Sequence, residues 1–209
     1  MTPEPPPHGG PGPDSADADA IAVAVTDAMH AVDRRGFLPR GQRRAAGDDR
    51  PLPIGHEQTC SQPSTVATML TMLRVPRGGA VLDVGAGSGW TTALLAHLVG
   101  AGGEVLGTER VPELVARGGA NLARLGMPWA RIEAARPGAL GAPRAGGWPR
   151  ILVSASPDEL PGQLVEQLAP SGRMVIPVRH AMLLVERSPD GAVRTTEHGS
   201  YNFVPLVQD

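Results

Sequence analysis

Three glycines, Gly85, Gly87 and Gly89, follow the apolar run Val81-Leu82-Asp83-Val84 in the order Gly-Ala-Gly-Ser-Gly. Glycine permits a tight turn there and lets a ligand approach the backbone with no Cβ in the way. The turn opens a helix, whose amino end beside Ser88 can face a polar or anionic group. Farther along, Glu109 ends the next apolar run. A carboxylate in that place can accept hydrogen bonds from two ribose hydroxyls. Each feature has a plainer reading: an architectural turn, and a Glu109 paired with Arg110 or Arg117. The glycine spacing departs from the dinucleotide fingerprint, and a pyrophosphate gives no reason for an acid at Asp83. A cofactor with a positive sulfonium and a zwitterionic amino-acid end is compatible with that acid.

The elements that must position these groups follow from periodicity. Ala80–Val84, 104–108, Ala130–Ala134 and 151–154 read as strands. Helices through Leu98 and over 111–125 join the first three. Pro63–Leu73 reads as a helix with Ser61 as a candidate cap, and 157–168 as another that Pro161 disturbs. The stretches 174–178, 182–187 and 202–207 read as strands with no helix between them. The expected fold is therefore α/β, a mainly parallel sheet with helices on both faces and an antiparallel edge. Residues 1–17, rich in Pro and Gly, read as a disordered tail ahead of one domain over 18–209. A helix is expected over 18–35, then an irregular stretch over 36–60. That stretch reads as either a loose linker or a lid, and the span 36–62 is expected to be a segment that closes over the substrate.

Composition narrows the classes. The 209 residues carry 19 Lys plus Arg against 21 Asp plus Glu, too balanced for a cationic nucleic-acid face. The pairs Arg34–Arg35 and Arg43–Arg44 read as solvated surface. Cys60 is the single cysteine, so neither an internal disulfide nor a cysteine metal cluster is available. We expect a cytoplasmic protein with no membrane and no nucleic-acid partner.

Several separated motifs then resemble the protein-L-isoaspartate O-methyltransferase family, from about Ala28 onward. They are Leu52-Pro53-Ile54-Gly55-His56, Gln58-Thr59, Ser61-Gln62-Pro63, Val81 to Gly85 with Gly87-Ser88-Gly89, and Glu109-Arg110 with Pro112-Glu113-Leu114. Asn121-Leu122 with Leu125-Gly126, Ile176-Pro177-Val178 and Phe203-Val204-Pro205-Leu206 continue the series in the same order. The resemblance implies a Rossmann-like class I methyltransferase fold. It implies S-adenosylmethionine as cofactor and the α-carboxylate of an isoaspartyl residue in damaged protein or peptide as acceptor. By it, Asp83, Gly85, Gly87, Ser88 and Glu109 border the cofactor, and Thr59 and Ser61 lie nearest the transfer. His56, Gln62 and Ser154 are expected on the acceptor side. A carboxylate with a reference pKa of about 3.9 is ionised at neutral pH and needs no general base, so none is assigned to His56. Gln62 has two readings, peptide recognition and loop fixing; Ser154 also has two, peptide contact and helix capping. Cys60 reads as packing.

The chain departs from the family pattern at named places. Pro137 stands where an Asp usually reaches adenine, and Arg150 where an Asp commonly precedes the fourth strand. Trp90 replaces a common Tyr, and Glu57 a common Gly. Two alternatives to isoaspartyl repair stay open: methylation of an Asp carboxylate in a biosynthetic peptide, and a catalytically impaired peptide-binding relative.

Overall fold

Strand β3 (Ala80–Val84) lies at the middle of the molecule, and its residues are buried on both faces after the first. The computed structural model describes residues 13–207. In chain order the elements are α1 (Pro13–Ala31), β1 (Leu52–Gly55), β2 (Gln58–Cys60), α2 (Pro63–Leu73), β3, α3 (Trp90–Val99), β4 (Glu104–Glu109) and α4 (Pro112–Leu125). Then come β5 (Ala130–Ala134), β6 (Trp148–Val153), α5 (Gly162–Glu166), β7 (Leu168–Val178), β8 (Ala181–Arg187) and β9 (Val193–Ser200). The seven-stranded sheet has the order β5-β4-β3-β6-β7-β8-β9. Its first four pairings are parallel, and β8 and β9 pair antiparallel at one edge. This is a Rossmann-like class I methyltransferase arrangement.

Alternation along the strands builds two cores. Val81, Val105, Leu152 and Val175 face one side with residues of α1 to α4. Leu82, Leu106, Ile151 and Met174 face the other with Leu164 of α5. Helices thus cover both faces, unequally. Crossovers through α3 and α4 pack on the first face because a parallel strand pair needs a helical return across it.

The expected boundaries hold to within one residue for α2, β3, β4, α4, β5 and β8, and differ more for α1, β6, α5, β7 and the last strand. Helix α1 starts at Pro13, inside the stretch 1–17 expected as a tail; residues 1–12 of that stretch lie outside the described ones. The expected helix ends early, at Ala31; a 3-10 turn at Arg34–Phe37 leads into the stretch read as irregular, which holds a second one at Arg40–Ala45 and the hairpin β1–β2. The hairpin turns through His56 and Glu57, both at positive φ (55° and 60°). That is the backbone a two-residue primed turn demands, usually from Asn or Gly. The last strand is Val193–Ser200, not 202–207. Pro205 has no N–H to give a ladder, and the tail makes only an isolated bridge, Pro205 to Ser156. The expected 157–168 helix shrinks to Gly162–Glu166, starting after Pro161.

Candidate functional site

Chain order reverses at β3, where β4 and β5 lie to one side and β6 to the other. Such a switch point opens a crevice at the carboxyl ends of the strands. A cleft of about 290 Å³ lies there. Its floor is the turn from Val84 to Ser88, one wall carries Thr108 to Arg110, and the far wall carries Ala135 to Gly141. Gln58 to Ser61 and the tail Val204 to Val207 close the remaining sides. A second cavity of about 330 Å³ is lined by Gln62, Thr65, Tyr201, Asn202 and Phe203 among others. Thr59, Ser61, Ser154 and Val204 line both, so these residues stand at the junction.

The glycine turn is shaped for a ligand. Gly85, Gly87 and Gly89 all have positive φ (80°, 55° and 89°), a region costly for other residues. A Cβ at Gly89 would approach the Gly118 Cα to 3.3 Å, so α4 packs backbone to backbone on the turn. Asn121 of α4 donates its amide to the Ser88 carbonyl at 2.8 Å. Glu109, 6% exposed, is held from two directions. Its Oε2 accepts from the Gly87 N–H at 2.8 Å and its Oε1 from the Val111 N–H at 2.9 Å. Each carboxylate oxygen keeps lone-pair capacity, which suits vicinal hydroxyls of a ribose. These residues fit the nucleoside end of S-adenosylmethionine.

Asp83 does not line the cleft. Strand alternation turns it under α3, where its Oδ2 accepts from the hydroxyls of Thr91 (2.8 Å) and Thr92 (2.7 Å). Its Oδ1 has no hydrogen-bond partner among the described residues. Burial pushes its carboxyl up to about 6, the two threonines pull it down, and the Glu109 charge adds to the rise. Asp83 therefore supports the glycine turn from beneath.

On the acceptor side the expected residues divide. Thr59, Ser61, Gln62 and Ser154 meet at the second cavity. His56 does not: it sits exposed at the hairpin tip and lines neither cavity. Ser61 does not cap α2, because the cap position is Gln62 and has no side-chain cap bond. The carboxylate of Asp49 does that work from a distance, accepting from the Ser64 N–H at 2.8 Å and from the Gln62 amide at 3.0 Å. Those contacts, the Ser64 N–H first, hold the Asp49 carboxyl below its usual range. The Ser154 hydroxyl is buried with no hydrogen-bond partner among the described residues, and α5 begins after Pro161 without a side-chain cap.

Sequence reasoning missed Arg34. Far from solvated, it is 4% exposed. Its guanidinium donates to the carbonyls of Ala46 (3.3 Å), Asp48 (3.0 Å), Arg50 (2.8 Å), Cys60 (2.9 Å) and Ser61 (2.9 Å). It lies 5.4 Å from the ring centre of Trp90, a wall of the cleft. Hydrogen bonds to a charged group contribute about 1.5–3 kcal/mol each, enough together to offset the several kcal/mol cost of burying a cation. No periodicity marks Arg34, since an arginine next to another arginine reads as surface. Cys60 is buried, which pushes its thiol up against the opposing effect of Arg34.

Of the two lost acids, only one touches the site. Pro137 lines the cleft. Arg150 pairs with Val81 at the opposite, amino end of β3, and its Nε donates to the Arg74 carbonyl beyond α2. With Arg173, which donates to the Met72 carbonyl, it satisfies the end of that helix.

Comparison with known proteins identifies the family and the fold. The family model for protein-L-isoaspartate(D-aspartate) O-methyltransferase matches residues 19–209. A protein-L-isoaspartate O-methyltransferase of Aeropyrum pernix is 44% identical over 187 residues, covering 88% of this chain and 72% of that one. One of Anaeromyxobacter dehalogenans is 45% identical over 189 residues, covering 88% of each. A solved protein-L-isoaspartate O-methyltransferase superposes with a TM-score of 0.80 at 23% identity, over 90% of this chain but only 62% of its own. Another, from Plasmodium falciparum in complex with S-adenosyl-L-homocysteine, gives 0.75 at 24% identity, covering 93% and 98%. At such identities these two structures speak for the fold alone. The matched model and relatives together place the chain in the protein-L-isoaspartate(D-aspartate) O-methyltransferase family.

Proposed function

We propose that this chain transfers the methyl group of S-adenosylmethionine to the free carboxylate of an isoaspartyl residue in a damaged protein or peptide. The observation that carries the reading is the junction of the two cavities at Thr59, Ser61, Ser154 and Val204. When bound, the cofactor supplies an electrophilic methyl on a sulfonium. Glu109 and the glycine turn hold the nucleoside end, and Trp90 bounds the cleft beside them. At the junction the hydroxyls of Thr59, Ser61 and Ser154 orient the acceptor carboxylate by donating to it. The acceptor is already ionised, so no side chain has to remove a proton. Alignment and exclusion of water supply the acceleration. The carboxylate oxygen forms the new bond to carbon as the sulfur–carbon bond breaks, giving a methyl ester and S-adenosylhomocysteine.

Pro137 cannot give adenine the carboxylate usual in the family, which leaves backbone groups of 135–141 to bound the base. The decisive assay uses methyl-labelled S-adenosylmethionine with matched peptides containing isoaspartate or aspartate. Base-labile label on the isoaspartyl peptide alone supports repair. Label on a particular aspartyl sequence redirects the reading to modification of a biosynthetic peptide. Cofactor binding with transfer to neither peptide overturns both, in favour of a peptide-binding relative.

A further inference from the structure

The Thr59–Gln62 segment carries the hydroxyls at the junction, yet β2 ends at Cys60 and α2 begins at Pro63. Neither element's own ladder fixes the two peptide units between them. Arg34 supplies the missing constraint. One nitrogen of its guanidinium, Nη2, donates to both the Cys60 and the Ser61 carbonyls at 2.9 Å. Among the described residues every peptide is trans, and in a trans peptide the N–H points opposite to the C=O. Drawing the carbonyls of residues 60 and 61 to one cation therefore turns the N–H groups of Ser61 and Gln62 away from it. Ser61 and Gln62 line the second cavity, whereas Arg34 lines neither. The remaining bonds of the guanidinium, to the carbonyls of Ala46, Asp48 and Arg50, tie this turn to the preceding loop. A cation behind the carbonyls also polarises the amides, which strengthens their N–H groups as donors.

We propose that Arg34 is a positioning residue for the methyl transfer, turning the amide donors of Ser61 and Gln62 toward the acceptor carboxylate from a place that touches neither substrate nor cofactor. The inference rests on the reading that the acceptor sits at Thr59 and Ser61. A lysine cannot replace Arg34, because a single ammonium with three donors does not span five carbonyls on two loops.

The test compares Arg34→Lys and Arg34→Met with Ser61→Ala, Thr59→Val and Arg43→Gln in the full chain. Arg43, whose side chain among the described residues donates to the nearby Leu38 carbonyl, serves as the control. Initial rates with an isoaspartyl peptide, affinity for S-adenosylhomocysteine by calorimetry, and Tm are measured for each. Both Arg34 variants should lose about a hundredfold in kcat, the scale of a small misplacement, while peptide KM and product affinity stay within about threefold. Arg43→Gln should match the parent. Parental kcat in Arg34→Lys overturns the proposal, and so does a parallel loss of kcat and S-adenosylhomocysteine affinity. Failure of both Arg34 variants to fold overturns it as well, since Arg34 would then serve folding. If Ser61→Ala and Thr59→Val both keep the parental rate, the acceptor reading itself falls, whatever Arg34 does.

Discussion

Asp83 keeps a carboxyl at zero exposure beneath the glycine turn, with one oxygen on two threonine hydroxyls and the other without a hydrogen-bond partner among the described residues. Burial raises its pKa from 3.8 to about 6. An acid whose folded pKa lies above its unfolded one binds its proton more tightly in the folded state. Asp83 therefore favours folding at low pH and opposes it increasingly as pH rises from about 4 to about 6, after which the effect is constant. The shift corresponds to about 3 kcal/mol. Asp83→Asn removes this titration while keeping an acceptor for the threonines. Denaturant unfolding of variant and parent, without cofactor, should give a stability difference that moves in the variant's favour between pH 4 and 6 and is flat above. A difference independent of pH across that window would show that Asp83 is not protonated in the folded protein. The threonines are also the reason the acid is tolerated at all: they sit in the first turn of α3, where the helix amino end favours negative charge.

At the scale of elements, α2 shows how a cap can be supplied from outside the helix. Pro63 opens it, Gln62 occupies the cap position without capping, and Asp49 on the preceding loop accepts from the Ser64 N–H. That division leaves the Ser61 hydroxyl for the junction. Asp49→Ala removes that cap and should lower Tm by a few degrees at this chain length, about 2–4 °C. Ser61→Ala should leave Tm near the parent and lower the transfer rate instead; a drop in Tm as large as that of Asp49→Ala would return the capping role to Ser61. The same elements show what a sequence makes legible. β3, β4 and α2 declare themselves because buried strands are continuous apolar runs and helices repeat their apolar face. The glycine turn and Glu109 were readable for the same reason, lying at strand ends. Strand β9 was not, since nearly all its residues are exposed and Val-Arg-Thr-Thr-Glu-His-Gly-Ser has no apolar alternation. Nor was the β1–β2 hairpin, whose turn uses His56 and Glu57 at positive φ in place of Gly or Asn. Asp49 and Arg34 act on residues 12 to 27 positions away, and no local pattern encodes such contacts.

Over the whole molecule, the span 36–62 is attached to the body by its apolar side chains and by arginines reaching carbonyls. Phe37, Leu38, Leu52 and Ile54 are each no more than 3% exposed. Arg117 of α4 donates to the Ile54 carbonyl, Arg124 to that of Gly36, and Arg34 ties the inner loop. Full burial of such side chains contributes about 1.5–3 kcal/mol each, so the span should be docked before any ligand arrives. Ligands then deepen an existing state. The chain contains no lysine, so trypsin can cut only after arginine; Arg40, Arg43 and Arg44 are exposed along this span, and Pro51 blocks cutting after Arg50. Cleavage needs the backbone to open locally, and a ligand held by Thr59 and Ser61 binds only the docked form. At about a hundred times its Kd a ligand adds about 2.7 kcal/mol, so cleavage through the open form should slow by up to about a hundredfold. We predict slow cutting after these three arginines in the free protein and further slowing with S-adenosylhomocysteine plus an isoaspartyl peptide. The protection should exceed that from S-adenosylhomocysteine alone, because the acceptor cavity shares Thr59, Ser61 and Gln62 with this span. Rapid cutting in the free protein would make the span a segment that docks only on binding. Cutting that is slow and unchanged by both ligands would place the acceptor elsewhere.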